Sequence, residues 1–222
     1  MCGRYTLKEN NPEKFTRQYG AFDGLEKPRY NRAPGQAHPI IIDRKNRHIW
    51  TSMQWGSNQS QKNPGGKFFP INARSETVTE KEIFSDSIRQ SRCLIPADGW
   101  FEWQQVESQK YPFYHQLLKP DTFAIGGFWL DTGQDESCAF SVLTRSASPD
   151  ILHIHHRAPL IIPRELWTSW MQPDINESDL QDIIQVKQPR IDTFQVSSRV
   201  NSSRNEGPDL LLPTTGKQAL LF

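Results

Sequence analysis

Arg92-Cys93-Leu94-Ile95-Pro96-Ala97-Asp98-Gly99-Trp100-Phe101-Glu102-Trp103-Gln104 holds two short apolar runs, Arg92 to Ile95 and Gly99 to Gln104, each of strand length. The same reading extends in both directions. Downstream, Tyr111 to Gln116, Phe123 to Trp129, Ala139 to Leu143 and Ala158 to Ile162 are further short strands. Upstream, Cys2 to Thr6 is a strand, and Ile40 to Asp43 with His48 to Trp55 form a hairpin turning near Lys45-Asn46. Helical patterns are few. They cover Asn11 to Tyr19 (Asn11 as cap, Pro12 in the first position), Thr79 to Arg89 with Thr79 as cap, Arg164 to Met171 and Ser178 to Ile184. A short helix opened by Ser148-Pro149-Asp150 ends before His155. Gly56 to Pro70, rich in Gly, Asn, Ser and Gln, reads as a surface loop. Many short strands with a few peripheral helices make an α+β fold with an antiparallel core. With no repeat, low-complexity tract or Gly/Ser linker, the expectation is a single domain over residues 1–222.

Composition narrows the function. A chain of 222 residues can bury a sizeable core, and its seven Trp and twelve Phe supply large apolar pieces, while sixteen Pro favour loops over long helices. The formal net charge of +1 excludes a strongly basic nucleic-acid binder, so any DNA surface has to come from local clustering of arginines. Three cysteines without a CxxC pair give no disulfide framework, and Cys93 and Cys138 sit in apolar stretches suited to inert thiols. No segment has membrane-span length and no signal peptide opens the chain, so the expected location is cytoplasmic, nucleoid-associated on DNA, or nuclear in a eukaryote.

Cys2 stands directly after the initiator in Met1-Cys2-Gly3-Arg4-Tyr5. A cysteine side chain is small enough for removal of Met1, which would leave a terminal Cys2. Its amine, with a pKa of about 8, and its thiol, with one of about 8.5, would then occupy adjacent carbons. Such a 1,2-aminothiol condenses with an aldehyde in two steps: the amine forms a Schiff base, and sulfur closes onto the imine carbon as a thiazolidine. Taken alone, a cysteine at this position is more often incidental than catalytic.

Other segments bear on that choice: Arg29-Tyr30-Asn31-Arg32-Ala33-Pro34-Gly35, Ile71-Asn72-Ala73-Arg74-Ser75-Glu76-Thr77, Pro96-Ala97-Asp98-Gly99-Trp100-Phe101-Glu102-Trp103 and Ile154-His155-His156-Arg157-Ala158-Pro159-Leu160. Towards the end come Val196-Ser197-Ser198-Arg199-Val200-Asn201 and Asn205-Glu206-Gly207-Pro208-Asp209-Leu210. Together with Met-Cys-Gly-Arg, and in this order, they resemble the SRAP family (SOS response-associated peptidase). The resemblance implies a compact, barrel-like β core with Cys2 in a cleft. It also implies covalent capture of abasic sites in single-stranded DNA through the N-terminal cysteine, with no cofactor and no metal, by a protein expected to be a monomer.

The resemblance assigns Glu102 as the catalytic glutamate. Its aromatic neighbours are suited to raise a carboxyl pKa, although strand alternation alone would turn it towards water. His155 is the second proton carrier, placed to act on the sugar ring oxygen. In an extended segment His153 and His155 share a face while His156 points away, so a histidine metal site would need a ligand from elsewhere. Asn72 is assigned to orient the amine beside the sugar. Arg74 faces the same way two residues on, and Arg4 shares a face with Cys2; both are phosphate ligands or, alternatively, partners in surface ion pairs. Thr144 and Ser197 are backbone-phosphate candidates by motif position, and Trp55 is the candidate base-stacking platform. The chain departs from the family pattern at His156, where many members carry an acid or amide, and after Trp55, where Ser57-Asn58-Gln59-Ser60 replaces a proline and a second tryptophan.

Three activities fit these residues. The first is abasic-site crosslinking with Schiff-base lyase chemistry. The second is a thiol peptidase or autopeptidase using Cys2 with His155 and Glu102. The third is a non-covalent single-strand-binding module.

Overall fold

The computed structural model describes residues 2–8, 15, 17, 19, 27–45, 47–56, 69–134 and 137–214. The strands are β1 Tyr5–Leu7, β2 Arg29–Arg32, β3 Ala37–Asp43, β4 His48–Trp55, β5 Asn72–Arg74, β6 Arg92–Ala97 and β7 Gly99–Val106. They continue with β8 Gln109–Leu117, β9 Phe123–Gln134, β10 Ser137–Ser146, β11 Arg157–Pro159, β12 Ile161–Ile162 and β13 Ile191–Gln195. The helices are α1 Glu82–Gln90, α2 Pro149–Leu152, α3 Trp167–Met171 and α4 Glu177–Ile184. This is the expected α+β class.

The larger sheet is ring-like. Strands β4, β3, β6, β9 and β10 pair in succession, and β10 returns to β4. Most pairs are antiparallel, as expected, but β10 runs parallel to both β4 and β5. Ile40, Ile41 and Ile42 on β3 are all buried, which a strand covered on both faces requires. The ring's two faces feed different clusters. Ile41, Leu94, Phe128 and Leu143 pack with Phe84, Trp167, Trp170 and Leu180 from α1, α3 and α4. Ile40, Ile95, Ile125 and Val142 pack instead with Cys2, Tyr5 and Trp100 from the chain start and the second sheet.

That second sheet, β13-β8-β7-β1-β2, sets the functional geometry. Tyr5 pairs with Trp100 and the Phe101 N–H donates to the Arg4 carbonyl, so the antiparallel register carries the chain start past Glu102. The Thr6 hydroxyl donates to Asp98 and meets the Tyr114 hydroxyl at 2.9 Å, fastening β1 to β7 and β8. Gly99 is required there, because a Cβ would lie 2.1 Å from the Tyr114 oxygen.

Several expected bounds change. The hairpin turn has Lys45 at a φ of 56°, with reciprocal Arg44–Arg47 backbone bonds. The helix expected from Thr79 begins at Glu82, because residues 75–80 form turns, Lys81 is extended, and the Thr79 hydroxyl accepts from Gln181 on α4 instead of capping. The helix expected from Ser178 starts at Glu177, capped by Asn176, which accepts from the Asp179 N–H. Arg164 to Leu166 is a 3₁₀ turn ahead of α3. Phe15, Arg17 and Tyr19 are helical, whereas Asn11, Pro12 and residues 57–68 of the expected loop lie outside the described residues.

Candidate functional site

Cys2 is fully buried, and its carbonyl accepts a 2.8 Å hydrogen bond from the Asn72 side-chain amide. Asn72 arrives there because β5 lies parallel to β10, with Asn72 opposite Val142 and Arg74 opposite Thr144. The Asn72 Oδ1 is buried with no partner among the described residues, leaving one acceptor for an incoming donor. Burial, and then the charge of Glu102, push the Cys2 thiol far above its ordinary range, so the resting sulfur is protonated.

Glu102 lies on β7 and is 2 % exposed. Burial raises its pKa from 4.5 to about 7. Near neutral pH it therefore both gives and takes a proton. His155 Nδ1 is 3.8 Å from Glu102 Oε2. Burial lowers the His155 pKa, which favours the neutral imidazole at neutral pH. With the imidazole neutral, the two groups do not form a fixed ion pair, and Glu102 can exchange its proton.

Glu102 and His155 open onto a cavity of about 590 Å³ whose other walls are Arg4, Trp103, Gln105, Lys110 and Asn201. Arg4, half-buried and held below its usual pKa by burial, brings a cation to the wall, and Lys110 brings a second. Trp103 Nε1 donates to Asn201 Oδ1 at 2.7 Å, which fixes the indole at the rim. The C-terminal segment that supplies Asn201 is held by Asn31, whose amide donates to the carbonyls of Val200, Ser202 and Asn205.

The structure thus gathers Cys2, Asn72, Glu102, His155 and Arg4 in one place. Arg74 is exposed, on the same side of β5 as Asn72, because Ala73 between them is buried. Ser197 is half-buried, and its hydroxyl accepts from the Arg199 N–H. Two expectations are corrected. Trp55 is no stacking platform: it is fully buried, stacked on Phe140 with edge contacts to Tyr5 and His38, and its Nε1 donates to the Ile71 carbonyl. Thr144 is 2 % exposed and its hydroxyl donates to the Ala73 carbonyl, so it is turned into the fold rather than towards a phosphate.

The segment around His155 is also not extended. His153 to His156 turn after α2, and the His155 and His156 rings stack at 4.4 Å instead of pointing apart. Among the described residues no three His, Cys, Asp or Glu side chains are grouped to hold a metal ion, and no helix is long and apolar enough to cross a membrane.

Sequence reasoning missed Gln105, Lys110 and the parts of Trp103 and Asn201 in the cavity wall. Trp103 and Asn201 stand in the quoted motifs, but Lys110 reaches the wall only through its pairing with Gln105 across the β7–β8 hairpin. Also missed was the ion pair of Glu76 with Arg157, whose oxygens and nitrogens meet at 2.7 and 2.8 Å.

Comparison with known proteins gives an independent view. Residues 1–203 match the SOS response associated peptidase (SRAP) family. The abasic site processing protein YoqW of Bacillus subtilis is 30% identical over 221 residues, covering 95% of this chain and 99% of the relative. The abasic site processing protein YedK of Escherichia coli is 28% identical over 230 residues, covering 96% and 100%. A crystal structure of a Bacteroides thetaiotaomicron protein superposes with a TM-score of 0.76 at 19% identity, covering 96% of this chain and 99% of that one, a likeness of fold.

Proposed function

The chain belongs to the SOS response associated peptidase (SRAP) family, and on that premise we propose that it captures abasic sites in single-stranded DNA by covalent bonds to Cys2 once Met1 has been removed. The observation that carries this reading is the chain start running past a buried carboxyl of pKa about 7, with a proton-bearing thiol beside it. Relatives named for abasic-site processing match over nearly the whole chain.

The steps follow from the groups present. His155 moves the proton that opens the sugar ring and frees the C1′ aldehyde. The Cys2 amine adds to C1′, and protonated Glu102 gives its proton to the departing hydroxyl, so that water leaves and an imine forms. The Glu102 carboxylate is now ready to take the proton from the Cys2 thiol as sulfur adds to the imine carbon. Aldehyde and aminothiol become a thiazolidine plus one water, and Glu102 ends as it began. Asn72 holds the Cys2 carbonyl and keeps an acceptor for the amine or a sugar hydroxyl. Arg4, Lys110 and exposed Arg74 are suited to phosphates. Because an imine lies on the path, weak β-elimination of the 3′ phosphate accompanies capture.

A peptidase would instead want a thiolate beside an imidazolium. Here burial raises the thiol and lowers the imidazole, which opposes that pair. Incubation with abasic and intact oligonucleotides, followed by a denaturing gel and intact mass, tests the proposal. A denaturant-resistant shift on abasic DNA alone, on protein lacking Met1, is expected; generic peptide cleavage, or binding with no covalent band, overturns it.

A further inference from the structure

His155 owes its orientation to a residue far from it in sequence. The Arg157 backbone N–H donates to His155 Nδ1 at 3.0 Å. The same nitrogen lies 3.2 Å from the Arg157 carbonyl, so the Arg157 backbone grips the ring at Nδ1, by its N–H or by its carbonyl according to the tautomer. Arg157 is in turn held from its side chain. Its Nη1 and Nη2 meet the two Glu76 oxygens at 2.7 and 2.8 Å, the fork-to-fork arrangement that fixes both partners, and Nη2 also donates to the Thr144 carbonyl at 2.6 Å. The Arg157 side chain is 9% exposed. Glu76 further accepts from the Ser146 N–H at 3.0 Å, so one carboxylate ties the end of β10 to the start of β11. Glu76 itself stands two residues after β5, with the intervening Ser75 bonded through its N–H to the Thr144 carbonyl. The segment that brings Asn72 to Cys2 therefore also brings Glu76 to Arg157.

We propose that Glu76 is a positioning residue for the crosslinking reaction: through Arg157 it holds the His155 ring in its orientation and at its distance from Glu102. The proposal rests on the reading of His155 as the proton carrier for sugar opening. Glu76 suits the task because its pairing with Arg157 holds its pKa down at about 2, so the clamp stays charged throughout the working pH range.

The test uses full-length protein lacking Met1. Three quantities are compared for wild type, Glu76→Ala, Glu76→Gln, His155→Ala and the double variant Glu76→Ala/His155→Ala. They are the single-turnover crosslinking rate at saturating protein, the affinity for an oligonucleotide carrying tetrahydrofuran in place of the abasic sugar, and the ¹⁵N resonances of the His155 ring. Glu76→Ala is expected to slow crosslinking about tenfold with tetrahydrofuran-DNA affinity unchanged. The ring resonances should shift from their wild-type positions as the ring loses its fixed contacts with the Arg157 backbone, and Glu76→Gln, which keeps one acceptor oxygen, should fall between. The double variant should be no slower than His155→Ala alone, since both changes remove one function. Wild-type rates in both Glu76 variants alongside a slow His155→Ala overturn the clamp and leave the role of His155 standing; a wild-type rate in His155→Ala removes that role itself. Losses that multiply in the double variant also overturn the proposal. If Glu76→Ala fails to fold, Glu76→Gln carries the same measurements.

Discussion

Replacing Glu102 with Gln should weaken the reaction and strengthen the fold, and the second effect has a size set by the structure. An ordinary glutamate titrates near 4.5, and in this fold Glu102 titrates near 7 because burial disfavours its charge. Below 4.5 both folded and unfolded chains carry the proton, and enclosure costs no charge. Between the two values unfolding releases that proton, so stability falls as pH rises. Above 7 the fold encloses a carboxylate, and the accumulated loss is about 3 kcal/mol. Gln has the same shape and never ionises. Wild type and Glu102→Gln should therefore have similar stability near pH 4, while at pH 8 the variant should be more stable by about 3 kcal/mol.

Urea denaturation of both proteins across that pH range reads the difference directly, since charges shared by the two cancel in the comparison. Crosslinking rates on the same proteins supply the other half. Glu102→Gln should lose on the order of a hundredfold and lose the inflection near pH 7. Stability curves that stay parallel from pH 4 to pH 8 would refute the reasoning. They would mean that Glu102 ionises in the fold as it does in the unfolded chain, and a carboxyl of that kind is a poor acid at neutral pH.

Cys2→Ser keeps a small second residue and a free amine but replaces the thiol with a poor nucleophile. It should lose the durable crosslink to abasic DNA yet remain trappable by borohydride; absence of a trapped species would argue against attack by the amine. Arg74→Ala should weaken single-strand binding and reduce the salt slope by about one phosphate contact, and an unchanged slope would return Arg74 to an ordinary surface role. Gly99→Ala should destabilise the fold by about 1–3 kcal/mol, because its Cβ would meet the Tyr114 hydroxyl that joins β8 to β1, and a measured loss near zero would mean that this contact yields freely.

The strands that apolar runs mark, such as β6 and β7, were legible because their burial is written in consecutive residues. Arg29–Arg32, Asn72–Arg74 and Ile191–Gln195 were not, because these short polar pieces become strands only through the neighbours they pair with. Trp55 shows the same limit in a single side chain. A tryptophan closing a strand reads alike as core or as platform, and what decides is Tyr5, His38 and Phe140, three rings from separate segments. The cluster around Cys2 divides in the same way. The motifs supplied the identities of Cys2, Asn72, Glu102 and His155, but the properties that make them reactive come from enclosure. Glu102 would be an unremarkable acid on a half-exposed strand; its burial, beside the chain start that leads into β1, moves its pKa to about 7. Glu76 and Arg157 lie 81 residues apart and each looks like a surface charge until β5, β10 and β11 meet. Chemistry carried by residue type can be read along the chain, whereas chemistry created by removing water from a charge has to wait for the neighbours that remove it.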